Sequence, residues 1–358
     1  MTRFRHDYGA MERWLHRLVL ESAAVRRLSF DLEAFVLART AQLACGQPVY
    51  LCGLARSGTT LLLRLLNQSG EFASLSFRDM PFVTSPNLWA RLSGPWQRHV
   101  QGRERIHGDD VLVDFDSPEA FEEVFWRTFD SRLEQDLECY GAATPDEMVL
   151  REFARYRCLV EAVVQRRTGE AQRRRYLSKN NNNLMRLQAL CGEPDATVLV
   201  LFREPIAAAR SLQRVHERIS ADADDFTRNY MRWLGHFEFG PGHRPFCFAR
   251  AYMSNGLPAS APDYWLDYWT AVHRYVLENA APVRLVDYDS LCNSPVDALD
   301  NMQRMLGLRS DFSSLSGDVK PPRPADAPAE FDPELVGRAR EVHRLLHRRA
   351  LQMDGPRA

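Results

Sequence analysis

The sequence predicts an α/β fold of the P-loop type, a three-layer sandwich with a central parallel sheet and helical insertions. Residues 48–52 form a short apolar run, and residues 53–67 follow it with a small-residue loop and an apolar helical pattern. The same order of strand, loop and helix recurs downstream, with strand candidates at 175–178, 197–202 and 283–288. Buried parallel strands appear as continuous apolar runs, so these repeats predict a parallel sheet.

Composition excludes several broad classes of protein. The chain has 358 residues, of which 45% are hydrophobic and 26% charged, as in an ordinary globular protein. Its formal net charge of -1 gives no general attraction to nucleic acid or to an anionic membrane. We therefore expect no nucleic-acid partner, and any anion site must come from locally placed arginines.

The termini and the cysteines predict the compartment. Residues 1–7 lack the apolar core of a signal peptide, and the apolar run 198–202 is far too short to span a bilayer. The seven cysteines are scattered, odd in number and contain no C-x-x-C pair. This pattern favours free thiols in a reducing compartment over a disulfide framework or a zinc site. We expect a cytoplasmic protein without a transmembrane segment.

Composition shifts along the chain predict its organisation. We expect an N-terminal helical extension over 1–45, a main domain over 46–315 with helical insertions at about 85–170 and 217–280, and a C-terminal loop and helix over 316–358. In the first insertion, one helix is expected to begin at Ser117-Pro118. A second is expected at Thr144, which forms a capping-box pattern with Glu147.

The loop between the first strand and helix has the spacing of a phosphate-binding loop. Gly53 and Gly58 enclose four residues, and two small polar residues follow. The amides of such a loop and the helix N-terminus after it attract phosphate. In nucleoside triphosphatases a lysine follows the second glycine. Here Thr59 occupies that position, and Arg56 is the only cationic residue within the loop 53–60. The loop therefore predicts a phosphate site unsuited to magnesium-dependent γ-phosphate chemistry; a plain strand-to-helix turn is the alternative.

Two motifs resemble the donor site of sulfotransferases. The run from Leu54 to Leu61 (L-A-R-S-G-T-T-L) is similar to their 5′-phosphosulfate loop, G-x-P-R/K-S-G-T-T, with Ala55 where proline is common. At the end of the strongest strand candidate stands Arg203, and Ser211 lies eight residues further on, as in the family's 3′-phosphate site. A serine about two helical turns beyond the arginine can face the same anion. The alternative for Arg203 is a surface pair with Glu204.

The resemblance covers about residues 48–310 and is greatest to the group that contains tyrosylprotein and bacterial sulfotransferases. It implies 3′-phosphoadenosine 5′-phosphosulfate (PAPS) as donor, 3′,5′-adenosine bisphosphate (PAP) as product, and no metal. The segment R-K-G-x-x-G-D-W of cytosolic small-molecule sulfotransferases is absent, so the adenine pocket is not located; Tyr288 or Trp269 could stack the base. The donor-binding residues it implies are Arg56, Ser57, Gly58, Thr59, Thr60, Arg203 and Ser211.

The resemblance also implies catalytic roles. Arg56 is expected to stabilise charge on the departing 5′-phosphate, and Lys179, at a strand end, to act as the second cation, unless it is only a solvated loop residue. For the base, Asp79 is favoured because an acidic residue is expected in this window, although Arg78 beside it would lower its pKa. His107 is the second candidate, because histidine titrates near neutrality. Glu71 is a weaker alternative.

The acceptor is the least defined part of the prediction. We expect a hydroxyl or amine on a small molecule, glycan or lipid. Residues 226–248 are rich in aromatic side chains and glycine. They could form a lid with an acceptor surface, a packed arm or a dimer contact, so a homodimer is possible. The rival functions are a P-loop kinase or nucleoside triphosphatase, and a nucleotide-binding protein without catalysis.

Overall fold

A computed structural model of the protein describes residues 9–38, 46–93, 103–104, 112–113, 121–141, 144–169, 173–222, 224–254, 256–279, 282–321 and 331–353. The strands are β1 (Val49–Gly53), β2 (Phe72–Ala73), β3 (Arg103–Glu104), β4 (Leu112–Val113), β5 (Arg175–Lys179), β6 (Thr197–Phe202) and β7 (Arg284–Asp287). The helices are α1 (Ala10–Glu21), α2 (Ala23–Ala38), α3 (Thr59–Gln68), α4 (Pro86–Ser93), α5 (Glu122–Phe129), α6 (Glu147–Thr168), α7 (Leu187–Cys191), α8 (Pro205–Asp222), α9 (Asp225–Trp233), α10 (Pro262–Asn279), α11 (Tyr288–Asn293), α12 (Pro295–Leu306) and α13 (Pro333–Met353).

The central sheet has five strands in the order β2-β5-β1-β6-β7. All four pairings are parallel, which confirms the predicted fold class. Strands β3 and β4 form a separate antiparallel pair. Because the strands are parallel, their carboxyl ends meet at one edge of the sheet, where α/β proteins bind ligands.

The two faces of the sheet pack against two separate apolar cores. Val49 and Leu51 of β1 point into the core that α3, α11 and α12 cover, whereas Tyr50 and Cys52 point into the core formed with α6, α8 and α10. The same alternation occurs in β6. Side chains alternate across a strand, so the continuous apolar runs fill both helix layers and give the three-layer sandwich.

Several helix ends follow their expected signals. Helix α8 begins at Pro205, as predicted, and α12 covers Pro295–Leu306. The predicted start of α6 at Thr144 is wrong: Asp146 is the N-cap, and its Oδ1 accepts a hydrogen bond from the Val149 amide at 2.9 Å. Aspartate caps a helix as well as threonine does, and it stands directly before the apolar pattern. The start predicted at Ser117-Pro118 lies outside the described residues.

The cysteines depart from the prediction. Cys139 and Cys247, 108 residues apart, form a disulfide, and Cys158 is also disulfide-bonded. Cys52, Cys191 and Cys292 are free thiols. The prediction of free thiols throughout is therefore wrong, because cysteine spacing does not show which distant segments the fold brings together. The cytoplasmic location that we based on it stays a prediction.

None of the helices in the described ranges is both long enough and apolar enough to cross a bilayer.

Candidate active site

The loop after β1 has the backbone of a phosphate cradle. Gly58 has φ +93°, and a Cβ at this position would lie 2.1 Å from Cδ2 of Tyr288, so only glycine fits. Arg56 also lies in the left-handed region, at φ 71°. Helix α3 begins directly after Gly58, and the amides of its first turn have no earlier carbonyl of their own helix to bind. The loop thus presents donors at a positive helix end.

The structure brings the two sequence motifs together. Strand β1 lies between β5 and β6, so the loop after β1 has Lys179 on one side and Arg203 on the other. Across this gap Nε of Arg56 donates a hydrogen bond to Oγ of Ser211 on α8, at 3.1 Å. Two motifs 155 residues apart in sequence therefore form one site at the carboxyl edge of the sheet.

Tyr288, the first residue of α11, joins the two halves of this site. Its ring lies against Gly58, and the Arg203 guanidinium carbon lies 5.1 Å from the ring centroid. Burial raises the pKa of Tyr288 to about 12, which keeps the phenol neutral at physiological pH. We had considered Tyr288 and Trp269 for stacking the adenine. Trp269 is 1% exposed and stacks on His273 at 4.1 Å, so it belongs to the core.

Two polar atoms of the site are buried without hydrogen bonds. Among the described residues, Oγ of Ser57 and Nε of Arg203 have no partner. A buried polar group that lacks a partner costs about 1–3 kcal/mol, and such groups in native proteins usually have a ligand or water to bind. Both atoms belong to residues predicted to bind the donor.

Lys179 is buried at the end of β5 rather than solvated in a loop. Its exposed fraction is 8%, and the asparagine run that follows it is buried as well. Asn181 accepts a hydrogen bond from Oγ1 of Thr59 at 3.2 Å, which connects the run to the first residue of α3. Thr59 thus links the loop helix to the end of β5.

The asparagine run is held by two buried glutamates of α5. Asn180 Nδ2 donates to Glu123 at 2.8 Å, and Asn183 Nδ2 donates to Glu122 at 2.9 Å. Arg186 forms two hydrogen bonds to Glu123, at 2.8 and 2.9 Å. The sequence analysis missed this network, although two adjacent acids directly before the apolar run Val124-Phe125-Trp126 were a signal. The network fixes the backbone beside Lys179.

Asp79 lies after the carboxyl end of the edge strand β2 and has no exposed surface. Its two oxygens accept hydrogen bonds from Arg167 of α6, at 2.5 and 3.2 Å, and one also accepts from the Ser76 amide at 2.8 Å. A carboxylate held in this way cannot meet an acceptor unless the ion pair opens. The catalytic role of Asp79 stays a prediction, and its surroundings favour a structural one.

The other two base candidates have different positions. His107 lies outside the described residues. Glu71 precedes β2, and its carboxylate accepts hydrogen bonds from the Arg309 and Ser310 amides at 2.8 and 3.0 Å. Its carbonyl accepts from the amide of Arg175, the first residue of β5. Glu71 therefore lies at the opposite edge of the sheet from the loop.

The aromatic segment 226–248 is mostly packed into the core. Trp233, Phe237, Phe239 and Phe246 are between 4% and 8% exposed. The alternatives for this segment were a lid, a packed arm and a dimer contact. The burial of these four side chains is that of a packed arm. Its polar residues differ: the side chains of His236 and Glu238 are 17% and 15% exposed, with Nδ1 and Oε2 3.5 Å apart.

One group of possible metal ligands lies beside Tyr288. Single ligand atoms of Asp287, Asp289 and His343 lie within 4.8 Å of one another. Both carboxylates have structural roles, because Asp287 caps α11 by accepting from the Asp289 amide and Asp289 accepts from the Glu204 amide at 2.7 Å. These contacts account for the two carboxylates, whereas Nε2 of His343 is buried and has no hydrogen-bond partner among the described residues.

Comparison with known proteins identifies the family. The sequence profile of the sulfotransferase family matches residues 48–243, more than half of the chain, and the chain belongs to this family. The match includes both phosphate motifs and Lys179. No curated protein matches the sequence.

Several solved structures are similar. They include the sulfotransferase STF1 of Mycobacterium tuberculosis, with 16% identity over 86% of this chain and 80% of that chain and a TM-score of 0.48. STF9 of Mycobacterium avium has 15% identity over 96% and 86%, with a TM-score of 0.44. A sulfotransferase of Alicyclobacillus acidocaldarius has 14% identity over 85% and 97%, with a TM-score of 0.40.

Proposed function

We propose that this sulfotransferase transfers the sulfuryl group of PAPS to a hydroxyl or amine. The acceptor that carries this group is a small molecule, a glycan or a lipid. The hydrogen bond from Arg56 to Ser211 is the observation that carries the proposal. It joins the loop suited to a 5′-phosphosulfate to the arginine and serine suited to a 3′-phosphate. A donor with phosphates at both ends of one nucleoside requires both halves.

Donor binding follows from the groups at each half. The loop amides, the hydroxyls of Thr59 and Thr60 and the buried hydroxyl of Ser57 would hold the 5′-phosphosulfate. Arg203 and Ser211 would hold the 3′-phosphate, for which an arginine is a strong charge-assisted donor. The unpartnered Nε of Arg203 and Oγ of Ser57 support both assignments.

Catalysis would depend on positioning and on two cations. As the acceptor oxygen or nitrogen bonds to sulfur, the bond from sulfur to the 5′-phosphate oxygen breaks, and negative charge grows on that oxygen. Arg56 within the loop and Lys179 at the neighbouring strand end would stabilise this charge in a water-poor site. PAP leaves, and the acceptor proton must pass to a base. Asp79 and His107 were predicted for that role.

The rival functions predict different ligands. A kinase or nucleoside triphosphatase would need a cation where Thr59 stands, and its binding would depend on magnesium. A protein without catalysis would bind PAP and turn nothing over. Calorimetric titration of the full chain with PAP, with adenosine 5′-phosphate and with ATP-magnesium separates these cases.

We expect PAP to bind much more tightly than adenosine 5′-phosphate, because only PAP reaches Arg203 and Ser211. The matched variants Arg203→Ala and Ser211→Ala should reduce this preference. Tight binding of ATP-magnesium with no effect of the 3′-phosphate would refute the proposal. Tight PAP binding without transfer of label from PAPS to any acceptor in a metabolite extract would identify the inactive alternative.

A further inference from the structure

The chain after α9 returns to the donor site as an arm, residues 235–247. Gly235 turns the chain at φ +73°, and a Cβ there would lie 2.4 Å from Cγ of Glu123. Its carbonyl accepts a hydrogen bond from Nδ2 of Asn182 at 2.9 Å. Asn182 is the neighbour of Asn181, which contacts Thr59 at the loop helix. The start of the arm is thus fixed beside the residues that follow Lys179.

The first polar side chains of the arm form a dyad. Nδ1 of His236 and Oε2 of Glu238 are 3.5 Å apart. Burial alone would raise the pKa of Glu238, but its contact with His236 and the positive charge of Lys179 outweigh burial and hold the pKa below its ordinary value. The carboxylate is therefore ionised at neutral pH and is electrostatically coupled to the lysine at the end of β5.

We propose that His236, oriented by Glu238, is the base that removes the proton from the acceptor. This inference rests on the proposed function. In the tautomer that carries its proton on Nδ1, which faces Oε2 of Glu238 at 3.5 Å, the lone pair lies on Nε2, as a general base requires. As the acceptor O–H or N–H attacks sulfur, its proton moves to Nε2, while the electron pair of the breaking S–O bond stays on the 5′-phosphate of PAP. His236 is catalytic in this scheme and Glu238 positions it.

The position of the dyad agrees with this role. Both side chains keep some exposure, in contrast to the fully buried Asp79. The arm is also supported from several sides: Arg127 binds the Trp233 carbonyl, and His243 Nδ1 lies 3.1 Å from the Phe237 carbonyl. Among the described residues, the charged and titratable groups near the dyad or near Gly235 before it include Glu123, Arg127, Lys179, His243, Arg244 and Tyr268.

The test compares acceptors that differ only in their need for a base. At pH 8 phenol is un-ionised and 4-nitrophenol is mostly ionised, while water is an acceptor that is always present. We expect His236→Gln to reduce transfer to phenol, and release of sulfate to water, by about 10²- to 10⁴-fold. Transfer to 4-nitrophenolate should change far less, and the affinity for PAP should stay the same. Arg151→Gln, at an exposed position of α6, is the control.

The role of Glu238 is tested by the pH profile of kcat, because a merely structural role of this residue would not shift that profile. Without the carboxylate the imidazolium is less stable, so Glu238→Gln should move the acidic limb of the pH profile of kcat to lower pH. An unshifted limb would overturn the positioning role.

Wild-type kcat for phenol or water in His236→Gln, or an equal loss with phenol and 4-nitrophenolate, would overturn the base assignment. Failure of the wild-type protein to bind PAP would instead refute the proposed function.

Discussion

At the donor site, the surroundings of single residues could be predicted from the sequence only in part. The spacing of Gly53 and Gly58 indicated a phosphate loop, but it could not show that Tyr288 occupies the space beside Gly58. Similarly, Asp79 stood at the expected distance from the loop, and its partner Arg167 is 88 residues away. Spacing identifies residues whose partners are local, and it fails for those whose surroundings come from distant helices.

Gly58→Ala should weaken PAP binding by about 10- to 100-fold. The new methyl group would need φ +93° and would displace the Tyr288 ring, and overpacking of this kind costs about 1–3 kcal/mol. Gly70→Ala is the matched control, because Gly70 has φ +76° and open space around its Cα. That variant should lose about 1–2 kcal/mol of stability and keep its affinity. Equal affinities for the two variants in calorimetry would contradict the steric argument.

Asp79→Asn should lower the free energy of unfolding by about 2–3 kcal/mol, since it leaves Arg167 without its counter-charge. The exposed pair Asp225–Arg228 offers a control, and Asp225→Asn should change stability by less than about 1 kcal/mol. Urea denaturation measures both. If the Asp79→Asn variant is as stable as the wild type but has lost turnover, this result would support Asp79 as the catalytic base.

At the scale of elements, the apolar runs predicted the four longer strands of the sheet to within about two residues. Strand β2 has only two residues, too few for a period, and the sequence analysis missed it. The asparagine run was predicted only as a polar loop, because its partners Glu122 and Glu123 lie on another helix. The local sequence pattern therefore predicted the strands that carry the donor site. The contacts that hold the asparagine run come from another helix, and the local pattern does not show them.

The disulfide is the strongest link between the arm and the segment around Cys139. Replacing both Cys139 and Cys247 by serine should lower the free energy of unfolding by about 2–5 kcal/mol, because a long loop in the unfolded chain is released. Cys191→Ser changes a free thiol and should cost much less. Urea denaturation without reductant makes the comparison. A double variant as stable as the wild type would show that the contacts of the arm suffice.

At the scale of the whole molecule, Glu33 ties the N-terminal helices to the rest. This carboxylate on α2 has no exposed surface and accepts hydrogen bonds from the Asn87 and Leu88 amides at the start of α4. Burial raises its pKa from 4.5 to about 7, against the lowering effect of these hydrogen bonds. The folded protein thus retains a proton there that the unfolded chain releases.

Glu33 should therefore make the protein more stable in mild acid. Between pH 4.5 and about 7 the folded state holds one proton more than the unfolded state, so this contribution falls as pH rises. The loss should be about 2–3 kcal/mol from pH 5 to pH 8, and Glu33→Gln should remove it. Denaturation at both pH values tests this. A wild-type protein and a variant with parallel pH dependence would contradict it.

The arm is attached at both ends to parts of the molecule that do not belong to it. Gly235 is bound to Asn182 at the donor edge, and Cys247 is covalently joined to Cys139. The residues between these two anchors form a unit that could be exchanged between related proteins without altering the loop after β1 or the 3′-phosphate site. In protein engineering, an exchanged arm would have to keep the proposed base His236 and the core side chains Phe237 and Phe239, so exposed positions such as Pro241 are the ones open to redesign.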